Sequence, residues 1–145
     1  IKDYLIENKV KFRHIGRKDR LPRDVTKAIE DLEVKTKENY TFNFSLFLDY
    51  GGRDEIVRAV NKILREGKKE INEKEFEKYL DTSGIPDPDL IIRTGGEKRL
   101  SGLLSYQNSY AELYFVDIYF PDFDASELKK AVEWFSERQR RFGGD

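Results

Sequence analysis

Two short apolar runs limit the folds open to this chain more than any other feature. They are Leu90-Ile91-Ile92 and Leu113-Tyr114-Phe115-Val116. A run this short and unbroken suits a strand buried on both faces of a parallel sheet. Arg93 falls where the first run ends, and Gly95-Gly96 follows it, then Arg99 and Ser101. Open α/β sheets bind ligands beyond the carboxyl ends of their strands. Glycine lets the backbone turn there and approach a ligand closely. The planar fork of arginine donates paired, charge-assisted hydrogen bonds to phosphate oxygens. The residues alone therefore mark a phosphate or diphosphate site on Arg93, Arg99 and Ser101, with the Gly-Gly amides as further donors. The plainer alternative is a solvated strand end, or an arginine paired with a carboxylate such as Glu97. The grouping of Arg, Gly-Gly, Arg and Ser within one short stretch is what favours a ligand.

The rest of the chain reads as strands alternating with helices. Residues 1–8 resemble the tail of a helix. Val10–Ile15 alternates apolar and polar residues, which predicts a strand with His14 on its solvated phase. A charged turn follows Gly16. Leu21-Pro22 opens a helix, since proline is tolerated in a first turn. Val25, Ala28, Ile29 and Leu32 form its apolar stripe. Phe42–Leu48 predicts a central strand with Tyr50-Gly51-Gly52-Arg53 at its end, the glycines permitting the turn. A helix from about Asp54 is expected to bury Ile56, Val57, Val60, Ile63 and Leu64, with Gly67 as its stop. Ile71–Leu80 predicts a short charged helix with Phe76 and Leu80 inward. A last helix capped by Asp124 or Ser126 is expected to turn Leu128, Val132 and Phe135 inward, with Trp134 beside them. Strands near 10–15, 42–48, 90–93 and 113–117 between helices predict an α/β fold with a mainly parallel β-sheet covered by helices on both faces.

Composition removes several function classes. The 27 basic and 28 acidic residues nearly cancel, so no overall basic excess points to nucleic acid. There is no cysteine, hence no disulfide and no thiolate chemistry, and a single histidine excludes multi-histidine metal sites. No apolar run is long enough to span a membrane and no signal peptide is visible.

Five blocks, in order, resemble the cis-prenyltransferases, the undecaprenyl diphosphate synthase type of Z-isoprenyl diphosphate synthase. They are Y-G-G-R-D-E-I at 50–56, I-I-R-T-G-G-E-K-R-L-S at 91–101, Y-A-E-L-Y-F-V-D at 110–117, F-P-D-F at 120–123 and R-R-F-G-G at 140–144. The resemblance implies a transferase that condenses isopentenyl diphosphate with an allylic diphosphate to make a Z-polyprenyl diphosphate. By the same resemblance, Arg93, Arg99 and Ser101 hold isopentenyl diphosphate, and Glu112 is the carboxylate linked to Mg²⁺. Arg141 and Gly143, in Arg141-Phe142-Gly143, reach the partner subunit's site in a homodimer. Tyr110, Tyr114, Phe115 and Tyr119 are candidates for that interface, at least half of them more suited to the core. A cytoplasmic enzyme is implied, with peripheral membrane contact left open for product release.

The chain also departs from the family pattern. The family's D-G-N-G-R-W stretch, whose Asp is essential, does not occur, nor does F-S-x-x-N-W. Residues 1–145 are therefore expected to be the C-terminal portion of a single cis-prenyltransferase domain, inactive alone, with no catalytic residue of their own. Lys98 stands where many members have His, Ser101-Gly102 replaces Ser-Asn, and Tyr106 replaces Trp. Three readings follow: part of an active polyprenyl diphosphate synthase, a non-catalytic companion subunit, or an unrelated α/β phosphate-binding protein.

Overall fold

The structure is a computed structural model and describes residues 2–38 and 40–139. The chain divides into two compact units, Ile1–Gly84 and Ile85–Asp145.

The first unit contains α1 (Lys2–Glu7), β1 (Val10–Ile15), α2 (Arg23–Lys35), β2 (Phe42–Phe47), α3 (Gly52–Arg65) and α4 (Glu73–Glu77). β1 and β2 pair in parallel, with Phe12 opposite Phe44 and His14 opposite Leu46. Leu5, Phe12, Ile29 and Leu32 form the core, with Val10, Leu21 and Val25 packed against it. The apolar stripe expected on α2 thus does face the strands. Phe44, Leu46 and Leu48 border an apolar hollow of about 430 Å³ that α2 closes on its other side.

Several expectations for this unit need correction. His14 is not solvated: it is buried, its Nε2 lies 2.9 Å from the Leu48 carbonyl, and its backbone N–H donates to Glu33 Oε1. The alternation of β1 misleads because Phe12, His14 and Ile15 are all buried, so successive residues on both faces are covered. β2 is not central among the described residues. It pairs with β1 alone, and Phe42, Phe44 and Leu46 are exposed. α3 starts at Gly52 and buries Glu55, Ala59 and Ile63, whereas Val57, Val60 and Leu64 face outward. α4 is shorter than expected, although its Asn72–Glu75 capping box is complete and Leu80 beyond it is buried. The turn after β2 takes its positive φ at Asp49, not at Gly51, whose backbone is extended.

Ionic contacts lock the end of this unit. Arg58 donates to both Asp81 oxygens at 2.8 and 2.6 Å and to Asp54 at 2.7 Å. Those bonds, Asp81's first, hold its guanidinium above the usual range and pull Asp54 below it. Glu55, 1% exposed, accepts from Asp81 N–H, Thr82 N–H and the Tyr50 hydroxyl.

The second unit contains β3 (Leu90–Arg93), β4 (Glu112–Phe115) and α5 (Ala125–Ser136). β3 and β4 also pair in parallel, with Leu90 opposite Glu112 and Arg93 opposite Phe115. Asp124 caps α5, accepting from Ser126 N–H at 2.8 Å and Glu127 N–H at 3.0 Å. Ala131 is the buried residue of this helix. Leu128 and Val132, expected inward, are 47% and 50% exposed.

Candidate functional site

The candidate site lies within the second unit, at the carboxyl end of β3. Arg93 is the last residue of that strand, and its carbonyl accepts Val116 N–H at 2.9 Å. The chain then turns at Gly95 and Gly96, with φ of 84° and 75°. A side chain in either position would be strained by that backbone. At Gly96 an added Cβ would also come to 3.3 Å from Asp117 Oδ1. The turn is tied back by Gly95 N–H to the Ile118 carbonyl, 2.9 Å, and Gly96 N–H to the Val116 carbonyl, 3.1 Å. Those two amides are spent on the fold, which corrects the expectation that they line an anion cradle.

Below this turn is a cavity of about 480 Å³ whose lining includes Ile92, Arg93, Thr94, Leu100, Leu103 and Tyr119. Arg93 Nε is buried and has no hydrogen-bond partner. Buried donors are rarely left unpaired, because each one forfeits its hydration. A cationic donor of this kind, half-buried in the wall of a cavity, fits an anion.

The other expected residues are spread around this cavity. Arg99 is exposed and ion-paired with Glu97, so that carboxylate partners Arg99 and not Arg93. Ser101 is exposed with φ of 51°, and neither it nor Arg99 is in the described lining. Glu112 opens β4 opposite Leu90, so it stands three residues down the strand pair from the level of Arg93, about 10 Å at strand rise. Its carboxylate lies 3.6 Å from Arg138 Nε. Arg141 and Gly143 fall outside the described residues. Of the four interface candidates, Tyr110 and Tyr119 are exposed, while Tyr114 and Phe115 are half-buried. Among the described residues, no three His, Cys, Asp or Glu side chains group as a metal site, and no helix is long and apolar enough to cross a membrane.

The sequence did not signal Leu100, Leu103 and Tyr119 as cavity lining, because they follow no strand or helix period. Arg138 was missed as well. It lies just past the end of α5, outside the helical period that sequence patterning reads, so no local signal marked it.

A parallel α/β unit with a buried, unpaired arginine donor at a strand's carboxyl end is the kind of place where open α/β sheets put their ligand sites. Residues 2–143 match the family described as "Putative undecaprenyl diphosphate synthase", and the chain belongs to that family. It is 47% identical over 140 residues to an isoprenyl transferase of Fusobacterium nucleatum, covering 97% of this chain and 60% of that protein. It is also 47% identical over 135 residues to the tritrans,polycis-undecaprenyl-diphosphate synthase (geranylgeranyl-diphosphate specific) of Thermococcus kodakarensis, covering 89% of this chain and 51% of that protein. The crystal structure of lavandulyl diphosphate synthase from Lavandula x intermedia, in complex with dimethylallyl diphosphate, superposes with a TM-score of 0.93 at 35% identity. That match covers 99% of this chain and 64% of that one. The chain thus spans about 60% of the Fusobacterium relative's length.

Proposed function

We propose that this chain supplies the isopentenyl diphosphate site of a cis-prenyltransferase. The reaction joins isopentenyl diphosphate to an allylic diphosphate, such as farnesyl or geranylgeranyl diphosphate, and yields a Z-polyprenyl diphosphate. The observation that carries this reading is the buried, unpaired Nε of Arg93 in the wall of a cavity. A diphosphate oxygen would satisfy it. Leu100, Leu103 and Tyr119 give the same cavity apolar surface for a five-carbon isoprenoid. Arg99 can join by exchanging Glu97 for the diphosphate, and Ser101 adds a hydroxyl donor from its exposed turn. In this reading Arg141 and Gly143 complete the neighbouring subunit's site in a homodimer, an isologous arrangement in which each copy serves the other.

Mg²⁺ fits as a substrate-borne cofactor. It keeps several waters and takes one or two protein carboxylates besides substrate phosphates, so the single hard ligand Glu112 suffices where no three-ligand cage exists among the described residues. When bound, the ion neutralises the leaving diphosphate. Residues 1–145 act in this reading as the C-terminal portion of one catalytic domain, in the cytoplasm, with membrane contact reserved for release of the lipid product.

The test is transfer of radiolabelled isopentenyl diphosphate to farnesyl diphosphate. It compares the chain alone with a chimera that adds the part of the Fusobacterium relative this chain does not span. The chimera is expected to elongate the primer and the chain alone to be inert. Arg93→Ala in the chimera should raise the KM for isopentenyl diphosphate. A folded chimera that transfers nothing, or an Arg93→Ala chimera with unchanged kinetics, refutes the proposal.

A further inference from the structure

Glu112 is held by a small unit that ends on the chain's only tryptophan, Trp134. α5 places Trp134 four residues before Arg138, just beyond the helix end, where a cation is favoured by the helix dipole. The Arg138 guanidinium lies over the Trp134 ring, 5.0 Å from its centroid. The same side chain brings Nε to 3.6 Å from Glu112 Oε2. The Trp134 ring packs on Tyr114 at 5.2 Å and 56°. Tyr114 is two residues after Glu112 on β4, hence on the same face of the strand. Carboxylate, guanidinium, indole and phenol thus form one contiguous group.

The geometry of this group is that of a loose stopper. The Glu112 side chain is 26% exposed and that of Arg138 49%, so the carboxylate is the more withdrawn of the pair. A partly withdrawn carboxylate is favoured by a nearby counter-charge. Arg138 provides it, but 3.6 Å is beyond hydrogen-bond range. Among the described residues, no hydrogen bond is made to the carboxylate. Its oxygens therefore keep their lone pairs for a harder cation. Half-exposed ion pairs and surface cation–π contacts are both weak, so little holds Arg138 in place.

We propose that Arg138 is the resident counter-cation of Glu112, that a divalent cation arriving with a diphosphate displaces it, and that Trp134 reports the exchange. Arg138 is a positioning residue: it keeps the carboxylate aimed until the metal comes. This inference rests on the metal-linked reading of Glu112 given above.

The experiment titrates the chain with magnesium pyrophosphate, following Trp134 emission and, separately, the heat of binding. Pyrophosphate in EDTA is the metal-free arm. In the unaltered chain, emission should change with metal binding and stay flat in EDTA. Arg138→Gln removes the competing charge, so it should bind magnesium pyrophosphate about three- to ten-fold tighter, with no emission change. Glu112→Gln should bind more weakly and also lose the emission change. If Glu112→Gln weakens binding but Arg138→Gln does not tighten it, Arg138 is a bystander and the proposal falls while the metal reading of Glu112 stands. If Glu112→Gln binds as tightly as the unaltered chain, both fall. An emission change of equal size in EDTA also overturns the proposal, since it would report the anion and not the metal.

Discussion

Replacing Arg93 by Met should reverse the order of stability between the variant and the natural chain, depending on whether pyrophosphate is present. Arg93 Nε is buried without a partner. An unpaired buried donor costs about 1–3 kcal/mol. Methionine fills similar space with no donor to satisfy. The variant should therefore match the natural chain or exceed it by ~1 kcal/mol, roughly 4 °C in Tm for a domain of this size. With pyrophosphate the sign changes. Losing a charge-assisted contact costs about 1.5–3 kcal/mol of binding, on the order of ten- to a hundred-fold in Kd. At a pyrophosphate concentration about 100 times the natural chain's Kd, that chain gains ~2.7 kcal/mol. A variant bound a hundred-fold more weakly gains only ~0.4 kcal/mol at the same concentration. The assay is thermal unfolding followed by Trp134 emission, which reports the unit that carries the site. If Arg93→Met loses more than about 2 kcal/mol without ligand, the side chain holds the fold and not an anion. If pyrophosphate stabilises both proteins equally, Arg93 does not touch the diphosphate.

Three further outcomes are expected. Glu55→Ala removes a carboxylate that is 1% exposed and strands the N–H groups of Asp81 and Thr82; it should cost about 3 kcal/mol in urea unfolding. Gly16→Ala should be far worse than Gly95→Ala in the same assay, because its Cβ would lie 2.4 Å from the Leu48 carbonyl oxygen, whereas at Gly95 the nearest atom is Tyr119 Cδ1 at 3.9 Å. The Gly95 change should then cost only the ~1–2 kcal/mol of a left-handed backbone. Hydrogen bonds from Lys2 and Lys35 hold the Asp31 carboxyl at about 2, below its ordinary 3.8. Its folded pKa is depressed, so its contribution is present above the unfolded value and fades as pH falls through the folded one. Asp31→Asn should flatten stability between about pH 4 and pH 2, measured by urea unfolding across that range, and should lower stability slightly at neutral pH, where the carboxylate's contribution is present, with the two proteins converging near pH 2.

The parallel α/β plan was legible because it depends on short-range signals. Leu90–Ile92 and Leu113–Phe115 read as strands because they are short apolar runs, the first followed closely by glycines, although Leu113 is 39% exposed and not covered on both faces; Gly95-Gly96 turns because glycine adopts φ of 84° and 75° without strain. What escaped the sequence was set by neighbours distant along the chain. Periodicity puts Val57, Val60 and Leu64 on an inward face of α3, yet they are exposed and Glu55 is buried. Glu55 can be buried because donors reach it, among them the Tyr50 hydroxyl and the Asp81 and Thr82 N–H groups on a segment more than twenty residues away. His14 is a similar case: its ring is buried against the Leu48 carbonyl, just past the end of β2, which no window of β1 contains. The site divides along the same line. Arg93 is readable because strand end and arginine are adjacent in sequence. Pairing fixes where Glu112 stands, since the register of β3 with β4 sets it opposite Leu90 and away from Arg93. On the proposed reading, that separation gives the two residues different tasks. A single diphosphate spans only a few ångströms, so Arg93 and a metal held at Glu112 would address different ends of a larger substrate assembly. The Glu112 end is the one that Arg138 now covers.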